Sequence, residues 1–341
     1  MKLRIAVRAY LISALLVGFL SCSCGRSPAS SIEEHCGKRD KIETVELISI
    51  EEKLPEIHSN SGVFMLGDTL IINDYKSTNK RFVVYDIKED KFLGKFGKFG
   101  EGPGEIANFA GIVIDPVNHI LYGMGYSTWY MSGFDIREAL SDPDYKAFFK
   151  TRLENIDGVS PFVATGDWLN DSTAYYEVVV PNEDWTEFDN RIGRVNLNDG
   201  SISLIEDNGF GNNTENTLTI SLKNRLMVSV GRVHDTIRLF DLEGNLKKII
   251  YGPDYTEKRH RPRFEYFCQA CIGKDEIYAS YLNEYILEKN FAEDIVVMDL
   301  DGKYKKTLHV GKPICGMEYN ENFNRLYLST NDYPQFGYIQ L

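Results

Sequence analysis

The chain has 341 residues, with 38 Lys and Arg against 50 Asp and Glu, a formal net charge of -12. That acidic excess argues against nucleic acid as a partner, because affinity for a polyanion comes mainly from neutralising its phosphates. The length exceeds what most single cores hold unless the architecture is a large β-fold or a repeat.

The first residues read as an export signal. Lys2, Arg4 and Arg8 form a positive n-region, and residues 9–20 are an apolar run diluted only by Ser13 and Gly18, too short to span a bilayer. The run ends in Phe19-Leu20-Ser21-Cys22, which resembles a bacterial lipobox: apolar residues, a small residue, then the cysteine that receives diacylglycerol. Cys22 is the predicted lipidation site, since lipidation at Cys24 would put Ser21 where an apolar residue is wanted. An ordinary secretory signal with incidental cysteines is the other reading, and both take the chain out of the cytoplasm. Residues 1–21 are therefore a predicted signal peptide. Residues 22–41, rich in Ser, Gly and charge and without either apolar period, are a predicted flexible tether.

From residue 42 to 341 a short phrase recurs, an Asp or Asn followed by an apolar strand, at Asp68, Asn118, Asp171, Asn224, Asp275 and Asn324. Successive copies lie 50, 53, 53, 51 and 49 residues apart, a spacing that marks a repeat architecture. A second phrase follows in most copies, an alternating strand ending in Asp or Asn and then a turn built on Asp, Asn and Gly, at Phe82, Ile192, Ile237 and Ile295, the last three with Gly in the turn. Each is a hairpin signal, because Gly and Asn accept the positive φ of tight turns. With the apolar strand before each first phrase, such as residues 63–66, 111–114 and 217–221, every repeat holds four strands. Four-stranded units at a period near fifty predict an all-β, six-bladed β-propeller over residues 42–341. The last repeat stops one strand short, while residues 44–50 are strand-like and unassigned. They are expected to supply the outermost strand of the sixth blade, so that no long edge is exposed.

The connector Lys95-Phe-Gly-Lys-Phe-Gly-Glu-Gly-Pro-Gly-Glu105, leading into Gly111-Ile-Val-Ile-Asp-Pro116, resembles the loop of NHL-type propellers. With the lipobox and Glu276-Ile-Tyr-Ala-Ser-Tyr281, the chain past residue 42 is similar to the TolB-like six-bladed propeller lipoproteins of Bacteroidetes. The resemblance implies a fold and a place in the cell envelope rather than an activity. Ser23, Cys24, Gly25 and Arg26 follow Cys22 instead of the acidic residues that surface-directed lipoproteins of that group often carry, so an outer-membrane anchor facing the periplasm is expected.

The Gly-rich connector is not a phosphate cradle: Glu105 follows its last glycine where a P-loop needs Gly-Lys-Ser or Gly-Lys-Thr opening a helix. The six histidines fall in separate parts of the chain, and no His-Glu-x-x-His or Gly-x-Ser-x-Gly occurs, so no local catalytic motif is present and no cofactor is implied. A site assembled across blades would need acids or histidines on several inner strands, where Asp115 and Glu318 are the evident acids. In Cys268-x-x-Cys271 strand alternation puts the two side chains on opposite faces, which excludes the thioredoxin arrangement. Buried free thiols are expected, with a disulfide from Cys315 to one of them as the other reading.

One basic run stands out: Lys258-Arg-His-Arg-Pro-Arg263, in the connector from the fourth to the fifth blade. Two long loops between second and third strands carry Trp185 and Tyr285, and a third carries Tyr126 and Trp129. In a propeller these segments share one face with the outer-to-inner connectors. Arg259, Arg261, Arg263, Trp185, Tyr285, Trp129 and Tyr126 are the predicted ligand-binding residues, for a protein partner or a saccharide or anionic ligand stacked on aromatics and forked by arginine. Solvated loops whose arginines pair with neighbouring acids are the plainer alternative. The function expected is non-catalytic binding or scaffolding at an envelope membrane. The alternative is a metal-dependent hydrolase or lyase working in the central channel.

Overall fold

Every copy of the recurring Asp or Asn phrase opens a strand in the computed structural model, which describes residues 32–102, 104–107, 109–126, 129–205, 216–257, 264–287 and 291–341. Cys22 with the leader, and Arg259, Arg261 and Arg263 of the basic run, lie outside the described residues.

Strands β1 (Glu33–His35), β2 (Ile42–Thr44) and β3 (Ile48–Ser49) belong to the N-terminal segment. Next come β4 (Gly62–Leu66), β5 (Thr69–Asn73), β6 (Lys80–Asp86) and β7 (Lys91–Lys98), an antiparallel sheet in chain order. β8 (Phe109–Asp115), β9 (Ile120–Gly125), β10 (Tyr130–Asp135) and β11 (Phe148–Arg152) form the second, and β12 (Phe162–Asn170), β13 (Thr173–Pro181), β14 (Phe188–Asn196) and β15 (Ile202–Leu204) the third. β16 (Asn216–Ser221), β17 (Leu226–Gly231), β18 (Thr236–Phe240) and β19 (Leu246–Tyr251) make the fourth, with β1 added beyond β19. The fifth has eight strands in the order β20 (Phe264–Ile272), β21 (Glu276–Tyr285), β22 (Ala292–Asp299), β23 (Tyr304–Asn320), β24 (Arg325–Thr330), β25 (Phe336–Gln340) and then β3, with β2 paired to β23. The short helix α1 (Ile136–Ser141) interrupts the second sheet and is capped by Asp135, whose carboxylate accepts from the Arg137 and Glu138 N–H groups.

The local rule behind the meander is turn chemistry. The Asp or Asn closing a third strand accepts backbone N–H groups two to four residues on: Asp86 from Glu89, Asn196 from Asn198, Asp241 from Glu243 and Asn245, Asp299 from Asp301 and Lys303. These are side-chain turns that reverse the chain into the outermost strand. The apolar residue after that Asp or Asn donates its N–H back to the turn between the first two strands, Ile87 to Asp68, Ile136 to His119 and Leu197 to Ser172. Between neighbouring sheets the inward faces pack, most densely where Phe82, Phe96, Phe109 and Phe134 meet with centroids 5.0 to 6.2 Å apart. Each such buried ring contributes roughly 1.5–3 kcal/mol over its exposed state.

β23 is seventeen residues long and serves two neighbours. Its first half pairs with β22 and its second with β24, the register shifting near Gly311, whose φ is +66°. At the far edge Ile48 and Ser49 pair with Tyr338 and Gly337, and the Ile50 N–H donates to Phe336. The strand expected there is thus present, though it is two residues long.

The segment read as a tether is docked from Glu33 onward. β1 runs parallel to β19 and β2 parallel to β23, supplying partners to backbone groups otherwise left at an edge. Between them Arg39 is inserted beside Asp235, with Nη1 and Oδ1 2.9 Å apart and side chains 6% and 0% exposed. The contact is an ion pair outside hydrogen-bond angles. The guanidinium also lies over the rings of Tyr281 and Phe267, 4.7 and 5.2 Å from their centroids.

Candidate functional site

The first strands of the sheets, β4, β8, β12, β16 and β20, together with the second half of β23, line a cavity of about 750 Å³. Each touches the next in that order, and β23 touches β4. Glycine permits the approach: a Cβ on Gly111, whose φ is +57°, would lie 2.6 Å from the Val163 side chain, and one on Gly316 2.6 Å from the Ser329 hydroxyl.

Two carboxylic acids and two arginines line this space. Arg232 is answered by Glu265 at 2.7 Å. Arg81, only 5% exposed, donates from Nη1 to the Ala107 carbonyl at 2.7 Å, and burial lowers its pKa. Asp167 accepts from the Trp168 and Ile220 N–H groups, both at 2.8 Å, so it ties β12 to β16. Burial nonetheless pushes its pKa up to about 6, against the pull of those two donors. Glu318 is raised well above the usual carboxylate range by burial and by the charge of Asp167. Of the two acids expected in the channel, Glu318 is there and Asp115 is not. The Asp115 carboxylate is fully buried and accepts from the Val117 and Asn118 N–H groups and from the Asn118 amide, closing the turn after β8. Asp167 was not legible as a site residue, being one acid in an ordinary strand. Among the described residues no group of three or more His, Cys, Asp and Glu side chains is placed to hold a metal.

The raised acid makes stability depend on pH. Below about pH 4 Asp167 is protonated in both folded and unfolded chains. Between there and its folded value near 6 only the folded chain holds the proton, so stability falls as pH rises through this window, by up to about 3 kcal/mol. Asp167→Asn is expected to remove that fall. Denaturant unfolding of both proteins at pH 4 and 7 checks it, and a wild-type-minus-variant difference that does not change with pH contradicts it.

Three of the predicted aromatics converge on one ring, Phe162. Tyr126, which lines the cavity, donates its hydroxyl to the Val163 carbonyl at 2.9 Å and packs edge-on to Phe162 at 5.8 Å. Trp129 and Trp185, from loops of adjacent sheets, meet the same ring at 6.4 and 6.3 Å, Trp185 stacked at 13° and 52% exposed. Phe188 completes the group at 6.2 Å. Both tryptophans have φ of +59°, a conformation bulky residues rarely adopt. The loops hold them there. Trp129 donates its N–H to the Gly125 carbonyl, and Trp185 to that of Asn182, whose side chain accepts from Thr186 and Glu187. Tyr285 packs elsewhere, edge-on to Phe264 at 5.0 Å. Sequence reasoning missed Phe162, the ring on which three of its candidates meet, because it looks like any core residue opening a strand.

Cys268, Cys271 and Cys315 are free thiols, so the disulfide reading does not hold. Cys271 is buried in a core cluster while Cys268 lines the cavity. Burial raises all three thiols, Cys268 to about 11 and Cys315 to about 12, which keeps them protonated and unreactive.

No family model and no curated protein matches the chain. Solved structures do resemble it. A member of the DUF4221 family from Bacteroides vulgatus superposes with a TM-score of 0.61 at 10% identity, covering 89% of this chain and 98% of that one. A gluconolactonase from Xanthomonas campestris gives 0.52 at 12%, covering 86% and 89%. The WD40 β-propeller domain of Doa1 gives 0.50 at 11%, covering 85% and 96%. At such low identity the likeness concerns architecture alone, and with the nearly all-β meander sheets it makes this chain a protein of the β-propeller type.

Proposed function

We propose that the chain is a six-bladed propeller, TolB-like and held to the envelope by lipid on Cys22, which binds a saccharide or anionic ligand at the cavity mouth without transforming it. Counting β23 once for each of its two partners gives six four-stranded blades, the sixth completed by β3. The observation that carries the binding reading is the pair of tryptophans. Left-handed backbone at two bulky residues costs of order 1–3 kcal/mol each and collects where a ligand is held. Here both pack on Phe162, and Trp185 stays half exposed in the same aromatic group as Tyr126, which lines a cavity large enough for a small ligand. Arg259, Arg261, Arg263 and Tyr285 would extend the same face, and a protein partner there would use the same arginines. The envelope address, periplasm-facing on the outer membrane, rests on the lipobox at Cys22 and on the Ser23, Cys24, Gly25 and Arg26 that follow it.

Trp185→Ala is expected to weaken saccharide binding by at least tenfold, read by calorimetry on a panel of neutral and acidic sugars, while the melting temperature stays within a few degrees. Unchanged affinity in both Trp185→Ala and Trp129→Ala contradicts the reading. Loss of membrane partition in Cys22→Ala checks the anchor. The alternative of a metal-dependent hydrolase or lyase draws on Asp167 and Glu318 in the cavity; stoichiometric divalent metal in the purified protein would favour it.

A further inference from the structure

The two arginines of the cavity differ in one respect. Arg232 has a carboxylate partner in Glu265, whereas no carboxylate among the described residues lies within ion-pair distance of Arg81. The nearest acid, Asp74, is committed elsewhere: its carboxylate holds His58 Nδ1 at 2.9 and 3.0 Å. Within the guanidinium, Nη1 is used by the Ala107 carbonyl and Nε is enclosed without a partner, which leaves Nη2 for whatever occupies the cavity. Beside it on β5, opposite Phe82 in register, Asn73 lines the same space and its Oδ1 is enclosed without a donor. The charge of Asp74 acts on Arg81, but a buried guanidinium with no carboxylate in contact is still expensive. A hydroxyl of the ligand can donate to the Asn73 acceptor, which a carboxylate cannot.

Asp167 on β12 and Glu318 on β23 line the same space, and burial raises both acids. They can exchange hydrogen bonds with hydroxyl groups but offer an anion no counter-charge, so an acidic ligand has one favourable orientation, its carboxylate at Arg81 and its hydroxyls toward the acids. We infer that the corner formed by Asn73, Arg81 and Ala107 takes the carboxylate of a monosaccharide-sized uronic acid, whose hydroxyl groups face Asp167 and Glu318. Arginine suits this task because its planar fork matches a carboxylate, and the aromatic group that reaches the cavity through Tyr126 offers the apolar face of a sugar ring a surface to stack on. The inference rests on the proposed saccharide-binding reading and narrows it to a class of ligand.

Calorimetry with galacturonic acid and galactose as probes tests it, on the parent, Arg81→Met, Arg81→Lys and Trp185→Ala. The parent is expected to bind galacturonic acid at least tenfold more tightly than galactose. Arg81→Met should abolish the preference, Arg81→Lys should keep part of it, and Trp185→Ala should weaken both sugars alike. Equal binding of the two sugars by the parent, or a preference that survives in Arg81→Met, overturns the Arg81 assignment. If galactose binding still depends on Trp185 in that case, the broader reading stands. Failure of both sugars to bind the parent overturns both. Should Arg81→Met not fold, the parent's preference and its reduction in Arg81→Lys decide.

Discussion

Asp235→Ala is expected to destabilise the protein by roughly 3–5 kcal/mol, the range for removing one partner of a buried ion pair. Asp235 is fully buried, and besides its ion pair with Arg39 its carboxylate accepts from the Asp254 N–H at 3.2 Å and the Tyr281 hydroxyl at 3.3 Å. Truncation would strand the Arg39 guanidinium among aromatic rings with no counter-ion. Replacing both partners by apolar residues, Arg39→Met with Asp235→Leu, should cost much less than Asp235→Ala alone, because no charge is then left buried. Denaturant unfolding of single and double variants measures this directly. A loss below about 1 kcal/mol for Asp235→Ala would mean that water reaches the pair and that residues 33–41 dock only loosely.

The second large effect lies at the β25 edge. Replacing residues 47–50 by Gly-Ser-Gly-Ser keeps the chain length and so leaves Arg39 free to reach its pocket. It removes Leu47 and Ile50, which pack into two core clusters, Ile50 being 3% exposed. Truncating one buried Ile or Leu costs about 2–5 kcal/mol, so the variant should lose about 4 kcal/mol or more. That corresponds to a fall of roughly 10 °C in melting temperature, with a rise in aggregation from the uncovered edge. A variant melting within about 2 °C of the parent would show that the edge needs no cover.

What was legible in the sequence was local. The Asp or Asn phrase marked β5, β9, β13, β17, β21 and β24, because a turn residue and the strand after it are neighbours in the chain. Tyr126, Trp129 and Trp185 were legible for the same reason, as aromatics in long loops of a repeat. What stayed hidden depends on distant residues. Nothing in the composition around Arg39 says that Asp235, nearly two hundred residues away, is its partner. Arg81, Asn73 and Asp167 lie on ordinary strands, and only the arrangement of the sheets turns them toward one cavity. Asp115 shows the converse error: an acid at the end of an inner strand points to the channel on paper, but its neighbours in the turn have first claim on its carboxylate.

The eight-stranded sheet has a consequence for how the protein is made. Its β2 and β3 come from the beginning of the chain and its β24 and β25 from the end, with Ile48 set against Tyr338. A chain synthesised N-terminus first must therefore keep these early strands unpaired until β23 and β25 emerge. Pairings of such sequence separation form slowly and expose strand edges in the interval. Newly made molecules thus pass through an open, sticky stage in which a holding chaperone has a substrate and a protease has a target, and the pairing of β24 and β25 ends it.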